Sequence, residues 1–299
     1  MAYTNTTLTL IAKDLTDIFW GKFKNTAALL KNTRKYVLEP GVTSKKVILP
    51  GAVTSSTRVA GGNAATLQTP TDTAVTLTPA TEYGGTLFAD RLTKIASPLE
   101  IPEKYGAELS LQIIDDLNEA LWAKYSSVTT NSVGSAGETA SIKILPSVAK
   151  KFADAKTPYD GSWTAVIGTS ENANWQREME YDVFGMNIDQ AVQNGILGSK
   201  YGFRIAQDQA RSTASSVNYN LAIQEDWAAV CYRSSMGSNY GSYTEPNTGI
   251  TIFTRFFDVR DTATDDSTFG VGEAFEAFVV ADIEVLRETS ACKILSLAE

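Results

Sequence analysis

The sequence predicts an α+β chain, on three observations. Helical spacing of apolar residues is confined to a few segments, chiefly 8–31 and 102–125. A period of two governs the stretch after Val42 and the last fifty residues. Strands and helices follow one another in blocks rather than in regular alternation, which argues against a doubly wound parallel sheet. With 299 residues, 43% of them hydrophobic, the chain is long and apolar enough to bury a real core.

Residues 8–31 place Ile11, Leu15, Ile18, Phe19, Phe23, Ala27 and Leu30 on one face of an amphipathic helix, with Trp20 on its flank and a break expected near Gly21. This arm precedes any segment that reads as a domain of its own, so its apolar face needs a cover from elsewhere. From Val42 the pattern changes. KKVILPG and TAVTLTP read as two strands around a centre rich in turns, holding Pro50, Gly51, Gly61, Gly62 and Pro70. Between Gly51 and Thr81 the only charged residues are Arg58 and Asp72, and nine residues are threonine. An isolated hairpin is at best marginal in water, so this one needs a surface: its own sheet, or another chain.

Pro102 suits a first helical position, and Tyr105, Leu109, Ile113, Leu117 and Leu121 recur every fourth residue, widened by Ile114. A helix over Pro102–Tyr125 would be about 35 Å long. Residues Gly134 to Gly137 read as a flexible joint. A short helix over Leu145–Ala155 then leads into the buried strand WTAVIG and the helix ENANWQREM. NGILGSKYGFRIAQDQ reads as a turn with a hairpin or strand, NYNLAIQEDWAAVCYR as a helix, and GSNYGSY as a loop. TGITIFTRFFDVRDT and FEAFVVADIEVLRE are strands around the turn region DTATDDSTFGVG.

Thirty-four acidic against 26 basic residues give a net charge of −8, which argues against a chain-wide DNA-binding surface. The first 46 residues carry eight basic and three acidic residues, a local +5 that leaves −13 for the remainder. A basic arm on an acidic body is either a solvated helix face or a reach toward a neighbour, including a second copy. Cys231 and Cys292 lack metal-ligand spacing and read as small buried hydrophobes in a reducing compartment. No signal peptide or membrane span is expected.

The chain contains no histidine, which removes Ser/His/Asp and Cys/His nucleophile arrangements, HExxH sites and every His-ligated metal centre. No phosphate-cradling glycine motif is present. Asp115 and Asp116 are adjacent on a helix and so face different directions, which suits a solvated face better than an acid/base pair. Asp261, Asp265 and Asp266 lack the ligand order of a calcium loop. With 34 acids a carboxylate pair is always conceivable, but nothing in the spacing singles one out. Trp122, Trp163, Trp175 and Trp227 read as core residues, and GSNYGSYTEP as a surface loop with exposed tyrosines.

A helical arm, a long uncharged hairpin and no catalytic machinery suggest a self-assembling subunit, and at this point a resemblance becomes specific. VILPGAVTSSTRVAGGNAATLQTPTDTAVTLT resembles the E-loop of tailed-bacteriophage major capsid proteins of the Hong Kong 97-like family. PEKYGAELSLQIIDDLNEALWAKY resembles their spine helix. KFADAKTPYDGSWTAVIG, NGILGSKYGFRIAQDQ and NYNLAIQEDWAAVCYR resemble successive A-domain segments, although Trp163 stands where a basic residue is expected.

The resemblance implies an N-terminal arm over 1–41, an E-loop over 42–92, a P domain over 93–138 and 249–299, and an A domain over 139–248. It implies a structural, non-enzymatic protein that needs no cofactor or metal and self-assembles as pentamers and hexamers. The icosahedral shell would enclose double-stranded DNA without sequence-specific binding. A separate scaffolding protein, a portal and a possible decoration protein would be the partners, with assembly in the host cytoplasm and a final place in the virion capsid. Intersubunit contacts are expected at Trp20, Phe23, Lys45, Lys46, Arg58, Asp72 and Arg91. An encapsulin-like compartment and a carboxylate-dependent enzyme are the alternatives.

Overall fold

Apolar residues at helical spacing form the first element, α1 (Asn5–Thr26), in the computed structural model, which describes residues 5–51, 71–90, 100–135, 137–157, 159, 161, 163–181, 199–208, 212–214, 217–237, 240–246, 249–259 and 272–297. The helix runs through Gly21 and breaks instead at Ala27, before the single turn α2 (Ala28–Lys31). Glycine weakens a helix by only about 1 kcal/mol, and the burial of Ile11, Leu15 and Phe19 outweighs that.

Next come β1 (Arg34–Leu38), a strand not expected from the sequence, and the hairpin strands β2 (Lys45–Leu49) and β3 (Thr73–Leu77). The strand β4 (Thr81–Asp90) leads to α3 (Glu100–Ala123), followed by β5 (Ser132–Gly134), α4 (Leu145–Asp154), β6 (Thr164–Ile167) and α5 (Thr169–Tyr181). The later strands are β7 (Ser199–Lys200), β8 (Phe203–Gln207), β9 (Ser212–Ala214), β10 (Val217–Ile223), β11 (Ala228–Arg233), β12 (Gly241–Thr244), β13 (Thr251–Val259), β14 (Gly272–Val285) and β15 (Ala291–Leu297).

Two sheets organise the molecule. A six-stranded sheet runs β1-β11-β14-β13-β12, with β4 also paired to β14. A seven-stranded sheet runs β5-β15-β10-β6-β8-β7, with β9 also paired to β10. Sheet membership crosses sequence order: β11 and β12 join the six-stranded sheet, whereas the last strand, β15, pairs with β10 and β5 in the other.

The main core lies between them. Ile11, Leu15 and Phe19 of α1 and Leu109, Ile113, Ile114, Leu117 and Leu121 of α3 pack with Phe275, Ala277, Val279 and Ile283 of β14. Leu221 and Ile223 of β10 reach this core from one face of the seven-stranded sheet, and Ala222 reaches a second core from the other. That second core holds Leu145, Val148 and Phe152 of α4, Trp175 of α5, and Phe203.

This double burial explains the largest departure from expectation. NYNLAIQEDWAAVCYR forms two strands joined by the short 3₁₀ turn Glu225–Trp227, not a helix. Strands covered on both faces lose their alternation and read as continuous apolar runs, which imitate a buried helix. The expected joint at Gly134–Gly137 begins as a strand, because Ser132–Gly134 pairs in parallel with Lys293–Leu295. Part of the expected loop GSNYGSY is the edge strand β12. Tyr105 leaves the apolar stripe of α3 and is 44% exposed.

The arm needs no partner to cover it. A Cβ on Gly241 would lie 2.3 Å from Leu8, so only glycine lets β12 approach α1 this closely. Thr254 Oγ1 donates to the Leu8 carbonyl at 3.0 Å and Ser110 Oγ to that of Leu15 at 3.4 Å.

Candidate functional site

The hairpin is the element whose placement bears on function. Its strands pair antiparallel from Lys45 opposite Leu77 to Leu49 opposite Thr73, and they form a two-stranded sheet of their own. One face rests on the chain's own body: Val47 and Leu77 are buried with Leu38, Ala229, Cys231 and Leu286, and Leu49 and Val75 pack at the margin. The stem therefore covers the back of β11, whose Ala228, Val230 and Tyr232 point into the main core from the other face.

Successive side chains of a strand alternate, so seating Val47 turns Lys46 and Ile48 outward. Both are exposed, Ile48 to 61%, beside the exposed Ala74 and Thr76 of the paired strand. Hydrogen bonds fix the stem at both ends. Thr78 N–H donates to Asp282 Oδ2 at 2.6 Å at the base, and Gly51 N–H to Asp72 Oδ1 at 3.0 Å at the far end. The two strands thus present an outer face bearing one cation and one isoleucine.

The seven expected contact residues scatter. Trp20 is half-buried against the main core, and so serves its own chain. Lys45 lies 5.9 Å from the centre of the Tyr36 ring, a cation–π contact within the subunit. Lys46 alone stands on the outward face, while Asp72 closes the stem. Arg58, Arg91 and the side chain of Phe23 lie outside the described residues. The basic excess of the first 46 residues is partly spent internally, because Arg34 Nε pairs with Asp226 Oδ1 at 2.7 Å.

Carboxylates that the sequence left unmarked turn out to be structural. Buried Asp208, just past β8, accepts from Leu29 N–H at 2.9 Å and Asn118 Nδ2 at 2.7 Å, pinning α2 and α3 to the seven-stranded sheet. Buried Glu171 accepts from Ser296 Oγ at 2.6 Å and Ser170 Oγ at 3.2 Å. Glu288 Oε1 accepts from the hydroxyls and backbone N–H groups of Thr129 and Thr130. Those bonds, the Thr129 hydroxyl foremost, draw its carboxyl down to about 2. No local motif announces any of the three, because every partner except Ser170 is distant in sequence.

Asp115 is exposed, and Asp116 accepts from Gln112 Nε2 at 2.7 Å along the same helix, as a solvated face requires. Partial desolvation, and then the neighbouring Asp116, raise the Asp115 carboxyl. Asp261, Asp265 and Asp266 lie outside the described residues. Among the described residues no group of three or more His, Cys, Asp and Glu could hold a metal ion, and no helix is long and apolar enough to cross a membrane. Both cysteines are free and buried. Burial raises the Cys231 thiol to about 11 and the Cys292 thiol to about 12.

Comparison with protein-family models finds no match, and comparison with curated proteins finds none. Solved structures do match. The structure described as Mycobacterium phage Che8 is 16% identical, with a TM-score of 0.57 over 85% of this chain and 84% of that one. The capsid of the cyanophage P-SCSP1u is 10% identical, with a TM-score of 0.59 over 92% and 90%. A virus-like particle from Pyrococcus furiosus is 10% identical, with a TM-score of 0.50 over 96% and 97%. At such identities the likeness concerns the fold: this chain has the α+β fold of phage capsid proteins, shared with that particle.

Proposed function

We propose that the chain is the structural major capsid protein of a tailed bacteriophage, of the Hong Kong 97-like kind, and not an enzyme. The observation that carries this reading, beside the capsid fold, is the hairpin stem. It seats one face on its own body, where Val47 and Leu77 are buried, and holds out the other, where Lys46 and Ile48 are exposed. In this reading the hairpin is the E-loop and lies over a neighbouring copy, α3 is the spine helix, the six-stranded sheet belongs to the P domain, and the seven-stranded sheet with α4 and α5 to the A domain; this moves β11 and β12 out of the 139–248 expected for the A domain, and β5 and β15 out of the 93–138 and 249–299 expected for the P domain. The arm residues of 1–41 join the body through α1.

Copies assemble as pentamers and hexamers into an icosahedral shell around double-stranded DNA. Many interfaces of modest size then add up through multivalency. The net charge of −8 suits a wall that does not grip DNA, and assembly with a separate scaffolding protein and a portal takes place in the host cytoplasm. A second reading, an encapsulin-like compartment, is favoured by the likeness to the Pyrococcus furiosus virus-like particle; particles holding cargo protein instead of DNA would select it. A carboxylate-dependent enzyme has less support, because the buried carboxylates bind backbone amides and hydroxyls of the fold itself.

The test is light scattering and negative-stain microscopy of the purified protein, with residues 52–70 kept or replaced by an Asn-Gly turn. Rings or closed shells that disappear in the shortened variant, with its melting temperature unchanged, support the reading. A monomer or dimer indifferent to the change overturns it.

A further inference from the structure

Among the described residues, only Lys156 (φ 55°) and Tyr201 (φ 51°) hold a non-glycine residue at positive φ. The elements that carry them adjoin: the rings of Phe152, near the end of α4, and Phe203, at the start of β8, have centroids 6.0 Å apart. Lys156 follows α4, in a helix end where Thr157 N–H donates to the Phe152 carbonyl at 2.9 Å and Lys156 N–H to that of Ala153 at 3.0 Å. Glycine is the usual occupant of that position. Tyr201 is the first residue of the two-residue link Tyr201-Gly202 between β7 and β8, whose glycine has φ 84°. Asn-Gly is the usual sequence of such a turn, because a side chain at positive φ costs stability.

Tyr159 lies over the same turn. Its ring meets that of Trp163 edge to face, with centroids 4.8 Å apart, and a Cβ on Gly202 would lie 3.4 Å from its Cε2 and hydroxyl oxygen. Tyr159 is nonetheless 62% exposed and Tyr201 49% exposed, and the exposed Lys156 and Lys200 flank them. Strained backbone that carries large exposed side chains brings the isolated subunit no return. Such outliers persist where the surface they create is used.

We propose that Lys156, Tyr159, Lys200 and Tyr201 form an intersubunit contact that receives a carboxylate-bearing surface of a second copy of this chain. The proposal rests on the self-assembly reading above. Tyrosine suits such a place, with an apolar ring to bury and a hydroxyl to hydrogen bond. The two lysines select for carboxylates, which a second copy supplies in excess, because the chain beyond its first 46 residues carries −13. This corner belongs to the seven-stranded sheet and the hairpin stem rests on the six-stranded one, so each subunit would be held at two independent places.

The experiment measures the protein concentration needed for assembly, by light scattering, for the parent chain, Tyr201→Gly, Tyr159→Ser and the double variant Lys156→Glu/Lys200→Glu, with melting curves of the unassembled subunits. Tyr201→Gly relieves the turn, so its melting temperature should stay level or rise while the concentration needed for assembly rises at least tenfold. Tyr159→Ser and the charge-reversed variant should do the same to assembly without loss of fold. Assembly at the parental concentration in Tyr201→Gly and Tyr159→Ser overturns the contact. Unimpaired assembly of the charge-reversed variant overturns its carboxylate partner. A parent that forms neither rings nor shells overturns the assembly reading, and this contact with it.

Discussion

The N-terminal helix and the hairpin both looked like arms without a surface of their own, and the structure treats them oppositely. Helix α1 buries Ile11, Leu15 and Phe19 in the main core and approaches β12 so closely that only Gly241 fits. The hairpin stem buries Val47 and Leu77 on the back of β11 and leaves its other face outside. At about 1.5–3 kcal/mol per fully buried large side chain, the helix is a structural member of the fold and the stem an attachment to it. An amphipathic segment near a terminus is thus no sign of an intersubunit arm until its apolar face is shown to be uncovered.

The largest effect that would break this contrast is on α1. Phe19→Ala should cost about 3–5 kcal/mol in chemical denaturation, through lost burial and the cavity left behind. A loss below 1 kcal/mol would show that the helix is a detachable arm after all. On the stem, Leu77→Ala should cost about 2 kcal/mol or more, felt mainly as local opening. Cys231, beneath the stem, should then react with a thiol reagent at least tenfold faster while Cys292, in the second core, keeps its parental rate. Equal acceleration of both thiols would mean that stem and body open together.

Smaller effects sharpen the same contrast. Gly241→Ala forces a methyl against Leu8 and should destabilise by about 1–3 kcal/mol, read from the denaturation midpoint. Glu288 ties the segment after α3 to the turn before β15, and its carboxyl falls from 4.5 to about 2 on folding. Its contribution is therefore full above pH 4.5 and is lost as the pH falls toward 2. Glu288→Gln should flatten that part of the stability profile, and an unchanged acid limb would remove the assignment. Ile48→Asp, on the outward face of the stem, should shift subunit stability by no more than about 0.5 kcal/mol while suppressing assembly. A destabilised subunit would place Ile48 in an intramolecular contact.

Much of the fold was legible because local chemistry and tertiary environment agreed. Helices α3, α4 and α5 lie where the sequence placed helices, with α3 starting at Glu100, two residues before Pro102, and the stem pairs KKVIL with TAVTL as its alternation predicts. The largest misreading, a helix over NYNLAIQEDWAAVCYR, has one cause. Strands β10 and β11 are buried on both faces, so they lack the alternation by which a strand is recognised. For the contacts, sequence marked charged and aromatic residues of the arm and hairpin. It could not mark Tyr159 and Tyr201, whose interest lies in a backbone angle and a shared corner.

By itself the sequence determined the α+β class, the amphipathic helices, the two stem strands and, through the lack of histidine and phosphate-binding motifs, the absence of the commonest catalytic arrangements. Only the tertiary structure decided that β1 runs parallel to β11, that β15 closes the seven-stranded sheet, that Asp208 pins α2 to α3, and which face of the hairpin is free. Periodicity and turn chemistry act within a few residues and so are written locally. Strand partners and the cover of an apolar face are chosen among residues far apart in the chain, by the free energy of burying both at once.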